Sequence, residues 1–261
     1  MKVAAIQMVS GISLDANLSE ALRLLRQAAA AGAELAVLPE YFCFMGAKDE
    51  DKLIIAETDG LGRVQDFLAD AARELRMCIV GGTLPMATED PLHAANASLS
   101  FDAKGERLSR YDKIHLFRYD NGRERYDEAA VLCAGTTPTR FELRDHEGQH
   151  WRIGQSVCYD LRFAELYRML DADVLLVPAA FTHTTGSAHW EVLLRARAIE
   201  NQAYVVAPAQ GGMHAGGRRT YGHSMIVDPW GEVLACREEG EGLVLADIDG
   251  ERLSEVRRRL G

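Results

Sequence analysis

The chain has 261 residues, enough to bury a sizeable core as one large α/β or all-β domain or as two smaller ones. Lys and Arg total 29 against 39 Asp and Glu, a net charge of -10, so the mean field repels nucleic acid and anionic membrane surfaces. With 48% hydrophobic and 26% charged residues, usage is that of a globular protein and excludes disordered, collagen-like and coiled-coil chains.

Residues 3–9 form an apolar run with one polar member and read as a strand. Gln7 interrupts that run before a secretory signal core develops, and no stretch reaches the roughly 18 apolar residues of a spanning helix, so the expectation is a cytoplasmic protein. Residues 15–31 carry Leu18, Ala21, Leu22, Leu25 and Ala28 at helical spacing and stop at Gly32. A short apolar run over 35–39 follows, so the opening is β-α-β and implies a sheet covered by helices. The pattern recurs with a helix over 63–76, a strand over 77–83 and two strands over 95–112 that turn at Ala103-Lys104-Gly105. Residues 115–135 lose periodicity and gather Arg118, Asp120, Asn121, Gly122, Arg123, Glu124 and Arg125, the pattern of a long surface loop.

Further on, strands over 153–157 and 174–177 flank a helix over 161–170, and a helix over 188–201 precedes a strand over 204–208. A glycine-rich turn at 211–217 leads to strands over 224–227, 231–236 and 243–248 and to a basic helix from Glu251. No linker, low-complexity tract or internal repeat divides this order, so residues 1–261 read as one domain. Strand-like segments outnumber helical ones, which favours two packed sheets with helices outside over a TIM barrel. The five cysteines are odd in number and widely spaced, without a Cys-x-x-Cys pair, and are expected as free thiols.

Three positions invite chemistry. Cys158 ends an apolar strand in Ile153-Gly154-Gln155-Ser156-Val157-Cys158-Tyr159-Asp160-Leu161-Arg162-Phe163, with a helix expected just after it. Such an elbow aims the Tyr159 N–H at a developing oxyanion, and a helix amino terminus favours thiolate. Glu40 ends a core strand in Leu35-Ala36-Val37-Leu38-Pro39-Glu40-Tyr41-Phe42, where α/β proteins put their sites. Lys113, in Tyr111-Asp112-Lys113-Ile114-His115-Leu116-Phe117, is one of five lysines beside 24 arginines, as if a compact ammonium were needed there. Taken singly, a structural cysteine, a solvated glutamate and a surface lysine are the ordinary explanations.

Together, in this order and with these flanks, the three resemble the nitrilase, or carbon–nitrogen hydrolase, superfamily. The likeness runs from residues 3–8 through the three motifs to Tyr221-Gly222-His223-Ser224-Met225-Ile226-Val227-Asp228-Pro229-Trp230-Gly231. It implies a four-layer αββα sandwich that forms a homodimer or higher homo-oligomer through its outer helices. It also implies a Glu40–Lys113–Cys158 triad, a thioester intermediate, and no metal or organic cofactor. The family's second glutamate falls on Glu128, in Tyr126-Asp127-Glu128-Ala129-Ala130, with the role of orienting Lys113 and the substrate amide.

Within the superfamily, residues 189–200 and 221–230 look most like deaminated glutathione amidases, a metabolite-repair activity, whereas 163–166 and 184–186 look equally like omega-amidases. The expected function is hydrolysis of a small 2-oxo acid amide, deaminated glutathione first and 2-oxoglutaramate or 2-oxosuccinamate as the alternative. The two branches differ chiefly in the room beyond the reacting carbonyl. A catalytically idle binding protein is the alternative of another class, and the intact triad argues against it. A thiol sensor lacks a resolving cysteine. Around the pocket, Arg162 or Arg195 could bind a substrate carboxylate, Phe117 and Phe181 could wall the site, and His189 could touch substrate. His115, His183, His189 and His223 leave a Cys–His arrangement as a minor alternative.

Overall fold

The computed structural model of the chain describes residues 1–260. The strand Lys2–Gln7 sets the layering. Its Val3 and Ala5 pack between two sheets, while Ala4 and Ile6 pack toward outer helices, the period-2 alternation of a strand covered on both faces. It lies inside a sheet of eight strands. In spatial order these are Gly242–Asp247, Lys2–Gln7, Leu35–Val37, Cys78–Val80, Ala94–Phe101 and Leu84–Ala87, with Arg107–Asp112 and Leu132–Cys133 also paired to Ala94–Phe101. The second sheet runs Thr139–Arg144, His150–Gln155, Val174–Leu176, Tyr204–Ala207, Ser224–Val227 and Val233–Arg237. Strands joined through helices pair parallel in both sheets, and those joined by tight turns pair antiparallel.

The helices Leu14–Ala30 and Arg63–Leu75 cover the first sheet with Leu18, Leu24, Leu25, Val64 and Leu68. Ala164–Leu170 and His183–Asn201 cover the second with Leu166, Tyr167, Trp190 and Leu194. Between the sheets lie Val37, Val80, Trp151, Val174, Leu176, Val206 and Ile226, completing the αββα sandwich. Among the described residues, no helix is long and apolar enough to cross a membrane. All five cysteines are free thiols.

Several local expectations are corrected. The helix expected over 188–201 starts at His183, because the Thr182 side chain accepts the Thr185 N–H and caps it earlier. The helix expected over 161–170 splits into a five-residue 3₁₀ turn, Cys158–Arg162, and the α-helix Ala164–Leu170. The supposed loop 115–135 holds a short hairpin, Arg118–Asp120 with Arg125–Asp127, then the 3₁₀ turn Glu128–Ala130. The edge strand Thr139–Arg144 carries no strand signal in the sequence, because exposed polar residues dominate it.

Candidate active site

The site lies where strand ends of both sheets converge. The chain leaves Leu35–Val37 through Leu38 and Pro39 to Glu40, then turns sharply at Tyr41, whose φ is +55°. The Tyr41 N–H donates to Thr83 Oγ1 at 2.9 Å and fixes that turn. Gly82 (φ +47°) lies against Pro39, where a Cβ would stand 1.9 Å from the carbonyl oxygen, so only glycine lets this segment approach. Glu40 is fully buried. Its Oε1 accepts from Asn96 Nδ2 at 3.0 Å and from Lys113 Nζ at 2.9 Å, and its Oε2 accepts the Ala180 N–H at 2.9 Å.

Lys113 follows Arg107–Asp112 and is held by its own backbone: its N–H donates to the Asn96 carbonyl at 3.0 Å, and its carbonyl accepts from Gly135 at 2.8 Å. Besides Glu40, its ammonium donates to Glu128 Oε2 at 2.8 Å. Glu128 also accepts the Tyr41 hydroxyl at 3.0 Å and the Phe117 N–H at 2.7 Å. Burial alone would lower the Lys113 pKa, but the two carboxylates more than offset it and hold the ammonium charged. Burial likewise opposes ionisation of Glu128, yet Lys113 and the Phe117 N–H keep its pKa below the usual carboxylate value.

Cys158 sits at the elbow after Val157 with φ +50°, and its N–H donates to the Pro178 carbonyl at 2.9 Å. The fully buried Asp160 pins this turn. It accepts the Val157 N–H at 2.8 Å, the Tyr111 hydroxyl at 2.7 Å, and the His115 backbone N–H and Nδ1 at 3.0 and 2.7 Å. His115 is thereby committed to Asp160 and stacks on Phe163 at 3.6 Å. No α-helix starts at the cysteine, so the expected dipole assistance to a thiolate is absent. Burial first, and the Glu40 charge second, push the Cys158 thiol well above its ordinary value, so the sulfur rests protonated.

The thiol opens on a narrow chamber lined by Glu40, Glu128, Tyr159, Phe117, Phe181 and Arg218 among others, with about 10 Å³ of free space. Phe117 and Phe181 do wall it. Arg162 and His189 are instead hydrogen-bonded to each other at 3.3 Å, the guanidinium over the Tyr159 and Phe181 rings, and neither is among the lining residues. Arg195 is tied to the Gly231 carbonyl and Glu191. Asn96, Asp160 and Arg218 were not singled out from the sequence. A buried amide within the small-residue strand Ala94–Phe101 was the available signal for Asn96, and proximity to the cysteine for Asp160. Arg218 sat unmarked in a glycine-rich turn.

A buried thiol on a sharp turn, facing a carboxylate that shares an ammonium with a second carboxylate, on an αββα sandwich, is the arrangement of a carbon–nitrogen hydrolase. The chain belongs to the carbon-nitrogen hydrolase family, whose model matches residues 2–258. It is 41% identical over 98% of its length, and 94% of the relative's, to the deaminated glutathione amidase of Synechocystis sp.. It is 35% identical over 99% of its length, and 92% of the relative's, to the omega-amidase of Homo sapiens. Saccharomyces cerevisiae Nit3, of branch 10 of the nitrilase superfamily, superposes with a TM-score of 0.89 at 28% identity, covering 100% of this chain and 94% of that one. The chain is an enzyme of the family's amidase group.

Proposed function

We propose that the chain hydrolyses deaminated glutathione at its amide through a thioester on Cys158. The observation that carries the choice of substrate is a cleft of about 720 Å³ adjoining the chamber, walled by residues 46–50, 123–127 and 215–218. Arg218 lines both spaces. The small chamber admits a scissile carbonyl and little more. A cleft of that size outside it suits a dipeptide leaving group, which 2-oxoglutaramate, releasing only ammonia, does not have.

In this reading Glu40 takes the Cys158 proton as sulfur attacks the amide carbon, and the oxyanion is held by the Lys113 ammonium and the Tyr159 N–H. Glu128 keeps Lys113 charged and oriented. Glu40 then passes its proton to the departing amine, so the C–N bond breaks as the thioester forms. It next takes a proton from water attacking that thioester, and the thiol and free acid are regenerated. The enzyme works as a cytoplasmic homodimer, its dimer contact supported by Val192, Ile199 and Trp230, which lie exposed on or beside the outer helix His183–Asn201. Light scattering on the purified chain tests that contact.

The deciding experiment compares 2-oxoglutarate formation from deaminated glutathione and from 2-oxoglutaramate, with Cys158→Ala as blank. At least a tenfold higher kcat/KM for deaminated glutathione is expected, about 1.4 kcal/mol of differential transition-state binding. The reverse preference overturns the substrate, and turnover by Cys158→Ala overturns the mechanism.

A further inference from the structure

Arg218 closes the glycine-rich segment Ala215-Gly216-Gly217, which is anchored across the cleft: Gly216 has φ +76°, and a Cβ there would stand 3.0 Å from the Ala47 carbonyl oxygen. The guanidinium lies over the Tyr126 ring at 5.2 Å, and its Nη2 donates to the Ala180 carbonyl at 3.0 Å. The N–H of that same Ala180 donates to Glu40, so a single residue links Arg218 to the proposed base. Its Nε is buried and has no hydrogen-bond partner. A buried guanidinium N–H without an acceptor is costly, and in a wall lining both chamber and cleft a ligand oxygen can relieve that cost.

The charge balance names that partner. Glu40 and Glu128 share the Lys113 ammonium at 2.9 and 2.8 Å, which leaves Lys113 one donor, the one the oxyanion needs. Arg162 gives one hydrogen bond to His189, lies over two aromatic faces and is not part of the chamber lining. An anionic substrate entering beside two carboxylates therefore needs another cation, and Arg218 stands at the junction of chamber and cleft. We infer that Arg218 binds a carboxylate of the substrate at this junction and sets the preference for anionic over neutral amides. The inference rests on the 2-oxo acid amide reading and adds a specificity residue to it.

A 2-oxo acid amide offers this carboxylate on its acyl side, and a peptide leaving group offers a second. The test measures kcat/KM of the wild type, Arg218→Gln and Arg218→Lys with deaminated glutathione, its carboxyl-terminal amide, and its 2-oxo-acid methyl ester. The wild type is expected to prefer the dianion at least tenfold over one of the neutralised forms, which identifies the carboxylate bound. In Arg218→Gln that ratio falls to within about twofold of unity, while the ratio to the other form persists. A wild-type ratio near unity for both forms, or a variant that keeps the wild-type ratio, overturns the inference. Failure of the parent reading is distinct: the wild type then makes no 2-oxoglutarate from any of these amides or from 2-oxoglutaramate. Should Arg218→Gln not fold, 2-oxoglutarate protection of Cys158 against iodoacetamide supplies the readout. Protection at least tenfold weaker in Arg218→Lys supports the inference for the acyl-side carboxylate, and equal protection together with an unchanged Arg218→Lys ratio for the carboxyl-terminal amide overturns it.

Discussion

Glu40 Oε2 accepts the Ala180 N–H at 2.9 Å, joining a carboxylate carried by the first sheet to backbone that follows Val174–Leu176 in the second. Cys158 hangs from the same stretch, its N–H on the Pro178 carbonyl. The proposed base and nucleophile are therefore brought together by the packing of the sheets, and each reports on the other. Glu40 raises the Cys158 pKa while Lys113 lowers it. Glu40→Gln should cut amide turnover about a hundredfold to ten-thousandfold, the range for a lost general base. It should also lower the pH at which the Cys158 thiolate forms, read from thiolate absorbance at about 240 nm against Cys158→Ala, because the charge opposing thiolate is gone. A thiol that titrates no earlier in a folded variant would remove Glu40 from the electrostatics of the thiol.

Lys113 answers to a different measurement. Its ammonium meets two carboxylates from separate segments, a geometry that three tetrahedral donors satisfy and a planar fork does not. Lys113→Arg should lose at least about a hundredfold in kcat, the scale of one oxyanion donor. The loss should sit in kcat rather than KM. Activity within tenfold of wild type would mean that the oxyanion is stabilised elsewhere.

The two-sheet architecture was legible from local pattern, whereas the three proposed reactive positions stood out only together, through the family resemblance of their flanks. The unbroken apolar run Val3–Ala4–Ala5–Ile6 reports burial on both faces, and Glu40, Lys113 and Cys158 all follow strands. What could not be read depends on tertiary partners. His183–Asn201 begins with Thr184, Thr185 and Gly186, poor helix formers overridden by the Thr182 cap. Arg162 and Arg218 are indistinguishable as letters. Only the three-dimensional pairing shows that the first is occupied by His189 and the second has a buried nitrogen without a partner.

His214 gives a pH prediction on the loop that carries Arg218. Its Nδ1 donates to the Ser10 carbonyl at 2.8 Å and its Nε2 contacts Thr220 Oγ1 at 2.7 Å, so it is built in as a neutral ring. Burial pushes its pKa below the ordinary 6.5. The unfolded chain then binds the proton before the folded one, so this contribution to stability is whole above about 6.5 and shrinks as the pH falls below it. His214→Gln can keep both contacts without titrating. Its Tm should fall less than the wild type's between pH 7.5 and 5.5, and parallel curves would refute the assignment.

The terminal helix Gly250–Leu260 yields the last prediction. Leu253 and Val256 are buried beneath it, but Arg257 does the fastening. Its Nη1 donates to Asp173 Oδ1 at 2.6 Å, its Nη2 to the Ala172 carbonyl at 3.0 Å and its Nε to the Gln202 carbonyl at 3.2 Å. It therefore caps the ends of both helices on the second sheet, Ala164–Leu170 and His183–Asn201, by way of the turns that follow them. Asp173 keeps Arg152 as a second partner, with Arg152 Nη2 at 2.9 Å from Oδ1, so removing Arg257 does not strand a bare carboxylate. The side chain is also about a third exposed, at 31%, which screens the charge part of the interaction. Arg257→Gln should cost about 1–2 kcal/mol in denaturant unfolding. The neighbouring exposed Arg258→Gln should be close to neutral. Since the helix lies away from the residues lining the chamber, kcat at 25 °C should stay near wild type while inactivation on heating comes sooner. Equal stability of the two variants would show that the apolar contacts of Leu253 and Val256 alone hold the helix down.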